Sequence, residues 1–338
     1  MNHSASGLLL LAIAGAMNAS FTLPMKFVRN WAWENVWLLW TIFALVALPT
    51  AVAFSTVPEI AMVYRMSPPG ELFSVMAFGA GWGISQIFFG IAAEQIGIAL
   101  TFSIVLGTSA AVGAAAPMLR LNPDQLHTHA GHMLLLGIAT VLLGVAVCAV
   151  AGMMRGRVEA RTPQEQGKVT AGGLTLAILC GCGAALLNIG FAFGTSLSLI
   201  AAFHGTARVN TSNAVWLPLL AAGAIPNLLY CLYLLRKNST GQNFRRAACG
   251  NYSLALAMGT LWFGSVLLYG ASVSRLGPLG TSVGWSLFMS IIVIVASFLG
   301  IVTGEWRGSG RLPLTAQLIG VTTLVISLFI LSAATVAR

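Results

Sequence analysis

The sequence predicts an all-α integral membrane protein with ten transmembrane helices arranged as a 5+5 inverted repeat. Three observations lead to this fold class. The composition is too apolar for a soluble domain, the chain contains ten apolar runs of about 20 residues, and one unusual segment occurs twice. The two copies lie an odd number of spans apart, so they cross the membrane in opposite directions.

The composition sets the class. Of 338 residues, 57% are hydrophobic and only 7% are charged, with a mean hydropathy of +0.88. Soluble domains usually have about 25% charged residues, so most of this surface must face lipid. The net charge of +9 would suggest nucleic acid in a soluble protein. Here, however, the basic residues lie in short gaps between apolar runs, as membrane-orientation signals do.

The apolar runs predict ten spans with short connections. The N-terminal run has no preceding Lys or Arg, so we interpret it as a retained first span and not as a signal peptide. The spans are expected at 7–24, 35–54, 72–93, 96–119, 132–154, 172–194, 213–235, 250–272, 277–301 and 313–335. The longest polar connection divides the chain into a first repeat at 1–154, a cytoplasmic connecting loop at 155–171 and a second repeat at 172–338.

The basic residues predict the orientation. Ten spans place both termini on one side of the membrane. The four connections on the other side hold twelve Lys and Arg, whereas the termini and the remaining connections hold five. The positive-inside rule therefore predicts a cytoplasmic location for the richer set, with both termini facing outward.

The repeated segment is FGAGWGISQIFFGIAAEQIG at 78–97 and MGTLWFGSVLLYGASVSRLG at 258–277. A shift of 180 positions aligns Gly79 with Gly259, Trp82 with Trp262, Ser85 with Ser265, Gly90 with Gly270 and Gly97 with Gly277. These segments fall in spans 3 and 8. Inverted repeats are typical of secondary transporters, because two similar halves that exchange conformations open a central site alternately to each side.

Each copy carries a stripe of glycines. At about 100° per residue, Gly79, Gly83, Gly90 and Gly97 lie within about 40° of one line along the helix, and Gly259, Gly270 and Gly277 do the same. A smooth stripe lets another helix approach closely. Tight packing explains the glycines without any further role, although sliding surfaces also suit a transporter.

Polar and aromatic residues within the spans suggest a central cavity. Trp82 and Trp262 lie beside their stripes, where they either belong to a lipid-interface belt or stack on a sugar; their symmetric placement favours the sugar. Gln86 either cross-links helices or binds hydroxyls. Amides, hydroxyls and rings suit a neutral polyhydroxylated solute, but they equally serve helix–helix hydrogen bonds. The candidate substrate-binding residues are Asn18, Trp82, Gln86, Asn188, Trp262, Tyr269 and Trp285.

The acidic residues avoid the middle of every predicted span. Glu94 comes nearest, at the end of span 3, and is the candidate for proton coupling; the alternative is a carboxylate at the membrane surface. Glu34 and Glu305 occupy span ends near Lys26 and Arg307.

The sequence contains no recognisable metal-binding, nucleotide-binding or catalytic motif. The cluster His127-Thr-His129-x-x-His132 lacks a metal-site spacing, and the cysteines suit packing. No nucleotide-binding or catalytic motif occurs. We therefore expect no enzyme activity, no cofactor, no metal and no nucleic-acid partner; an integral-membrane enzyme or sensor is the least favoured alternative.

The chain resembles the L-rhamnose–proton symporters, a ten-span branch of the drug/metabolite transporter superfamily. The likeness is strongest at SFTLPMKFVRNWAWENVW (20–37), FGAGWGISQIFFG (78–90), GIALTFSIVLGTSAAVG (97–113) and GEWRGSGRLP (304–313). The resemblance implies import of a 6-deoxyhexose, most simply L-rhamnose, by proton symport. In a bacterial inner membrane, the orientation predicted by the basic residues places both termini in the periplasm. The alternative is another small-metabolite carrier or exporter of the same superfamily.

Overall fold

The structure is a computed structural model that describes residues 3–159, 170–246, 249–277 and 279–336, and it is all-helical over these ranges. Ten helices are long and apolar enough to cross a membrane, and each covers one of the predicted spans. The ends differ from prediction by a few residues, except that span 6 continues to Phe203. The predicted fold class is confirmed. The connecting loop predicted at 155–171 lies largely outside the described residues.

The first half of the described chain contains seven α-helices. These are α1 (His3–Ser20), α2 (Trp33–Thr41), α3 (Leu48–Thr56), α4 (Ile60–Met66), α5 (Pro69–Ile96), α6 (Ile98–Leu121) and α7 (His129–Glu159). Six of them form the first five spans, and α4 lies in the connection between spans 2 and 3. Two 3₁₀ helices, Leu23–Phe27 and Pro123–His127, extend the ends of α1 and α6. A π-helical turn, Ile42–Ala47, joins α2 to α3 within span 2. Pro49 follows this turn and cannot donate a backbone hydrogen bond to it, which favours the wider turn.

The second five spans follow the same plan. They comprise α8 (Ala171–Phe193), α9 (Thr195–Phe203), α10 (Asn213–Lys237), α11 (Cys249–Val273), α12 (Gly280–Val302) and α13 (Arg311–Val336). A 3₁₀ helix, Thr240–Arg246, lies between α10 and α11. Helix α9 continues span 6 beyond a break at Gly194, which explains why that span is longer than predicted.

Helix contacts repeat between the halves. Helix α5 packs on α8 and α10, and its counterpart α11 packs on α1 and on span 2. Helix α6 packs on α8, as α12 packs on α1, while α7 and α13 pack on each other. In an inverted repeat, each helix contact in one half is expected to have an equivalent contact in the other half, as these do. The boundaries 1–154 and 172–338 stay predictions.

Individual residues repeat as well. Gly97 and Gly277, which end the two copies of the repeated segment, both have φ of +85°, a backbone conformation that glycine adopts without strain. A Cβ on Gly7 would lie 3.1 Å from Leu276, and one on Gly173 would overlap with Ile96, the residue equivalent to Leu276. The internal symmetry thus extends beyond the repeated segment.

The glycine stripes are confirmed over part of their length. A Cβ on Gly79 would overlap with the Leu219 carbonyl oxygen of α10, and one on Gly259 would lie 3.0 Å from Phe43 of span 2. Gly270 is similarly close to Trp216 of α10. The prediction is wrong at Gly90, Gly97 and Gly277, which are exposed and have no heavy atom of the described residues within 4 Å of their Cβ positions.

The bundle has two distinct ends. The terminal face is the end where α1 begins and α13 ends; the basic face is the opposite end, which carries Lys26, Arg155, Arg236 and Arg307. Along α12 every residue from 282 to 290 is buried, whereas residues 294–302, toward the basic face, are mostly half-buried or exposed. Helix α12 is therefore packed most closely in its terminal half.

Candidate functional site

The two tryptophans of the repeated segment meet in the middle of the bundle. The ring centroids of Trp82 on α5 and Trp262 on α11 are 5.5 Å apart, and the rings lie within 25° of parallel. Both residues are buried, with 4% and 6% exposed. A belt residue would face lipid, so that interpretation is wrong for both side chains. The two halves meet here through an aromatic pair.

One face of the Trp82 ring packs against a glycine of α10, a contact that the sequence did not predict. A Cβ on Gly223 of α10 would lie 2.8 Å from the Trp82 ring, so the ring lies between that glycine and Trp262. The small residue at 223 makes room for the indole in a tightly packed region.

A row of tryptophans leads from the pair toward the basic face. Trp33, Trp37 and Trp40 lie on one side of α2, with centroid distances of 5.0 and 4.4 Å between neighbours, and Trp40 contacts Trp262 edge to face at 5.3 Å. The indole nitrogen of Trp40 is buried without a hydrogen-bond partner. Spacings of four and three residues in WENVWLLW could have revealed this row, because they place the rings on one helix face.

Asn18 is hydrogen-bonded to the helix that carries Trp262. Its Nδ2 donates a 2.9 Å hydrogen bond to Ser265 Oγ, and Ser265 Oγ in turn donates to the Trp262 carbonyl oxygen at 2.6 Å. Ser85 makes the equivalent 2.7 Å hydrogen bond to Trp82. Asn18 is half-buried. One of its polar groups therefore serves helix–helix bonding, and its Oδ1 is available for other donors.

Gln86 lies one turn from Trp82 toward the basic face. It is half-buried, and its amide forms no hydrogen bond with the residues that the structure describes. Of the two interpretations of Gln86, cross-linking between helices is not the one observed in this conformation. Glu94 lies two turns further along α5, and its side chain is outside what the structure describes.

Asn188 and Tyr269 form a closed hydrogen-bonded layer on the terminal side of the tryptophan pair. Asn188 Nδ2 donates to the carbonyl oxygens of Gly113 at 2.8 Å and Thr281 at 3.1 Å. The Tyr269 hydroxyl donates to Asn188 Oδ1 at 2.5 Å. Both residues are at most 1% exposed. All polar atoms of the Asn188 side chain are thus used inside the protein.

Trp285 completes this layer. Its indole Nε1 donates a 2.9 Å hydrogen bond to the Ser109 carbonyl oxygen of α6, and its ring contacts Tyr269 edge to face at 5.6 Å. It is 2% exposed. The layer links α6, α8, α11 and α12. In this conformation Asn188, Tyr269 and Trp285 hold helices together and do not line an open cavity.

Other amides in the spans also bond helix to helix. Asn227 accepts a hydrogen bond from the Trp37 indole at 3.2 Å and donates to the Gly83 carbonyl oxygen at 3.3 Å, so it connects α2, α5 and α10. Asn213 donates to Thr56 at 2.9 Å, and Gln317 donates to Ser297 at 2.7 Å. For these three side chains the structural interpretation is the one observed.

The basic face joins distant connections through carboxylates. Lys26 Nζ lies 2.7 Å from Glu305 Oε1, and Arg155 Nη1 lies 3.6 Å from Glu305 Oε2. The hydrogen bond from Lys26 holds the pKa of Glu305 below its usual range. Lys26 therefore pairs with Glu305, although the sequence placed it near Glu34. Glu34 instead accepts hydrogen bonds from Asn238 and Thr240.

The histidine cluster at 127–132 shows no metal-binding geometry, and within the described ranges no three His, Cys, Asp or Glu side chains converge on a metal site. Among the same residues, Cys148, Cys180 and Cys231 are free thiols buried within spans.

Comparison with known proteins gives one consistent result. The family model described as L-rhamnose-proton symport protein matches residues 1–337. The L-rhamnose-proton symporters of Citrobacter koseri, Salmonella typhi and Escherichia coli O1:K1 are each 28% identical to this chain over 334 residues. These matches cover 96% of this chain and 96% of each relative. The similarity therefore extends over nearly the whole protein.

Proposed function

Because this chain belongs to the L-rhamnose-proton symport protein family, we propose that it imports L-rhamnose together with protons. The observation that carries this proposal is the end-to-end match to the family in a bundle of ten membrane helices. The chain is a transporter, and a transporter needs a site between its halves. The Trp82–Trp262 pair is the point where the two repeated segments meet.

The sugar site lies at this pair, between the two rings. Indole rings cover the C–H faces of a pyranose, while Gln86 and the Oδ1 of Asn18 supply hydrogen-bonding groups for its hydroxyls. The two rings are in mutual contact at 5.5 Å. A sugar between them needs roughly 7–8 Å, two van der Waals contacts of about 3.5–4.0 Å. Sugar binding therefore separates the tryptophans and with them the two halves.

Asn188, Tyr269 and Trp285 take part when the terminal half opens. In the present conformation their hydrogen bonds close that half. When α8, α11 and α12 move apart, the same amide, hydroxyl and indole groups become donors and acceptors for the sugar. Exchange between these two uses is what alternating access requires of residues at a central site.

The proposed coupling residue is Glu94 on α5, at the basic end of the helix that carries Trp82 and Gln86. A carboxylate on the helix that binds sugar can link protonation to the movement of that helix. We place the protein in a bacterial inner membrane, with the basic face in the cytoplasm and both termini in the periplasm, on the basis of the basic residues.

The test is uptake by proteoliposomes. Labelled L-rhamnose is offered with and without an inward proton gradient, and accumulation above equilibrium is expected only with the gradient. Glu94→Gln is expected to abolish this accumulation while leaving rhamnose exchange intact. Asp124→Asn is the matched control, since Asp124 is an exposed carboxylate in a connection at the terminal face.

Two results would count against the proposal. Accumulation of another solute but not of rhamnose would favour a different small-metabolite carrier of the same architecture. Undiminished uphill transport by Glu94→Gln would remove Glu94 from the coupling step and leave the sugar assignment standing.

A further inference from the structure

His204 joins the two halves at the terminal face. It follows α9, in the connection between spans 6 and 7, and faces the connection between spans 2 and 3 that contains α4. Its Nδ1 lies 3.3 Å from Glu59 Oε2, and its Nε2 lies 3.1 Å from Met66 Sδ. Only 17% of the His204 side chain is exposed. One imidazole thus contacts both ends of α4.

The two ring nitrogens face different partners, Glu59 and Met66. A carboxylate and a thioether sulfur accept hydrogen bonds and cannot donate them. A neutral imidazole has a single N–H, so one of its nitrogens would point a lone pair at an acceptor. The imidazolium ion donates from both nitrogens and satisfies both contacts.

We propose that His204 is a proton-binding site, and that its charged form holds α4 against α9 and so closes the terminal face. The proton comes from water at that face and bonds to the free ring nitrogen. Loss of the proton removes the ion pair with Glu59 and one of the two hydrogen bonds, which favours separation of α4 from α9.

The neighbouring charged and titratable groups have other roles. The Tyr64 hydroxyl on α4 donates to the Ala214 carbonyl oxygen at 3.1 Å, and Glu71 accepts from the Ser196 amide of α9 at 2.9 Å. Arg208 donates to the Ser274 carbonyl oxygen at 3.1 Å. Arg65 on α4 is exposed to solvent. Within the described part of the chain, Glu59 is thus the carboxylate that faces the imidazole.

The backbone at Glu59 supports a specific placement of this carboxylate. Its φ of +52° lies in the left-handed region, which is uncommon for a residue other than glycine. Such conformations persist where surrounding contacts fix them and occur often in switch regions. The left-handed residue turns the chain directly before α4 begins.

The direction of the effect fits a symporter. The inference goes beyond the proposed function and rests on it for one point, that the terminal face is outward. Proton uptake from outside then favours closure of the outer face, the step that must follow loading. Partly exposed pairs contribute at most about 1 kcal/mol, so the ratio of closed to open molecules should change up to about five-fold.

The test measures closure without any sugar. In a background with the five native cysteines replaced by alanine, spin labels are attached at Met62→Cys on α4 and Leu199→Cys on α9, both exposed positions. Double electron–electron resonance gives the distance distribution in lipid nanodiscs at about pH 5.5 and pH 8, on either side of the unperturbed histidine pKa of about 6.5. The ratio of the short-distance to the long-distance population is expected to fall up to about five-fold at the higher pH.

Three variants separate a proton switch from a structural role. His204→Gln is expected to lose the pH dependence, and His204→Lys, which stays charged at both pH values, is expected to keep the short distance throughout. His129→Gln is the matched control, an exposed histidine of the same face, and should behave as the parent. A pH response that survives in His204→Gln, or a parent with no response, would overturn the proposal. Because rhamnose is absent, either result is independent of the transport assay.

Discussion

Substitution of single glycines in the repeated segment tests the packing of α5 directly. Gly79→Ala and Gly90→Ala introduce the same methyl group into the same helix. At Gly79 the new Cβ would overlap with the carbonyl oxygen of Leu219, and this backbone atom cannot rotate away. At Gly90 the Cβ position has no heavy atom within 4 Å. The two substitutions therefore differ only in what lies opposite.

The expected magnitudes follow from two opposing effects. Alanine favours a helix over glycine by up to about 1 kcal/mol. Overpacking a filled interface costs typically about 1–3 kcal/mol. Gly90→Ala should thus leave stability unchanged or raise it by up to ~1 kcal/mol, because only the first effect operates. Gly79→Ala should lower it by about 2 kcal/mol, the upper overpacking cost less the helix gain, because α5 and α10 must separate to accept the methyl group.

An intermediate position makes the test quantitative. A Cβ on Gly259 would lie 3.0 Å from Phe43 Cβ and 3.3 Å from the Ala44 nitrogen, a tight contact without overlap. Gly259→Ala should fall between the other two variants. The order of stability is expected to be Gly90→Ala, then Gly259→Ala, then Gly79→Ala.

Thermal unfolding in detergent provides the assay. Cys148, Cys180 and Cys231 are buried, so a thiol-reactive fluorophore labels them only as the bundle opens. The apparent Tm values are compared at one heating rate, since membrane proteins often unfold irreversibly. Equal Tm values for Gly79→Ala and Gly90→Ala would refute the close approach of α5 to α10. A lower Tm for Gly90→Ala would show that another surface packs on that part of the helix.

Three further outcomes are expected. Tyr269→Phe leaves the Oδ1 of Asn188 buried without its donor, which should lower stability by about 1–3 kcal/mol in the same unfolding assay; an unchanged Tm would show that the layer is looser than the 2.5 Å hydrogen bond indicates. Lys26→Ala should lower the apparent Tm at neutral pH. The difference in Tm between variant and parent should disappear as pH falls through the lowered pKa of Glu305, since that carboxylate then loses its charge. A difference in Tm that persists in acid would mean that Lys26 acts through packing. Asn18→Leu should weaken rhamnose binding, measured as quenching of tryptophan fluorescence, more than it changes Tm, and the reverse order would assign Asn18 to helix packing alone.

Much of the fold could be predicted because few backbone structures can span a lipid bilayer. Runs of about 20 apolar residues must be helices, as backbone groups in a bilayer have no water to bond with. The matched residues at 78–97 and 258–277 gave the inverted arrangement. The left-handed Gly97 and Gly277 and the stacked Trp82 and Trp262 follow the same match.

The site was harder to predict because its residues are brought together by helices far apart in the chain. Trp82 and Gln86 are four residues apart on one helix, yet Trp82 is buried against Trp262 and Gln86 has an unbonded amide. Sequence periodicity gives the face of a helix but not the neighbour that covers it. For this reason Gly223, which makes room for Trp82, was not found.

The sequence by itself determined that the protein lies in a lipid bilayer, how many spans it has and that it contains an internal repeat. These features depend on local hydropathy and on residues compared along the chain. Only the tertiary structure decided what faces each polar group. Asn188 forms a hydrogen bond with Tyr269, and His204 contacts Glu59 and Met66. The physical reason is that hydrogen bonds and close contacts act over a few ångströms. Their partners are therefore set by how helices cross, which no single helix encodes.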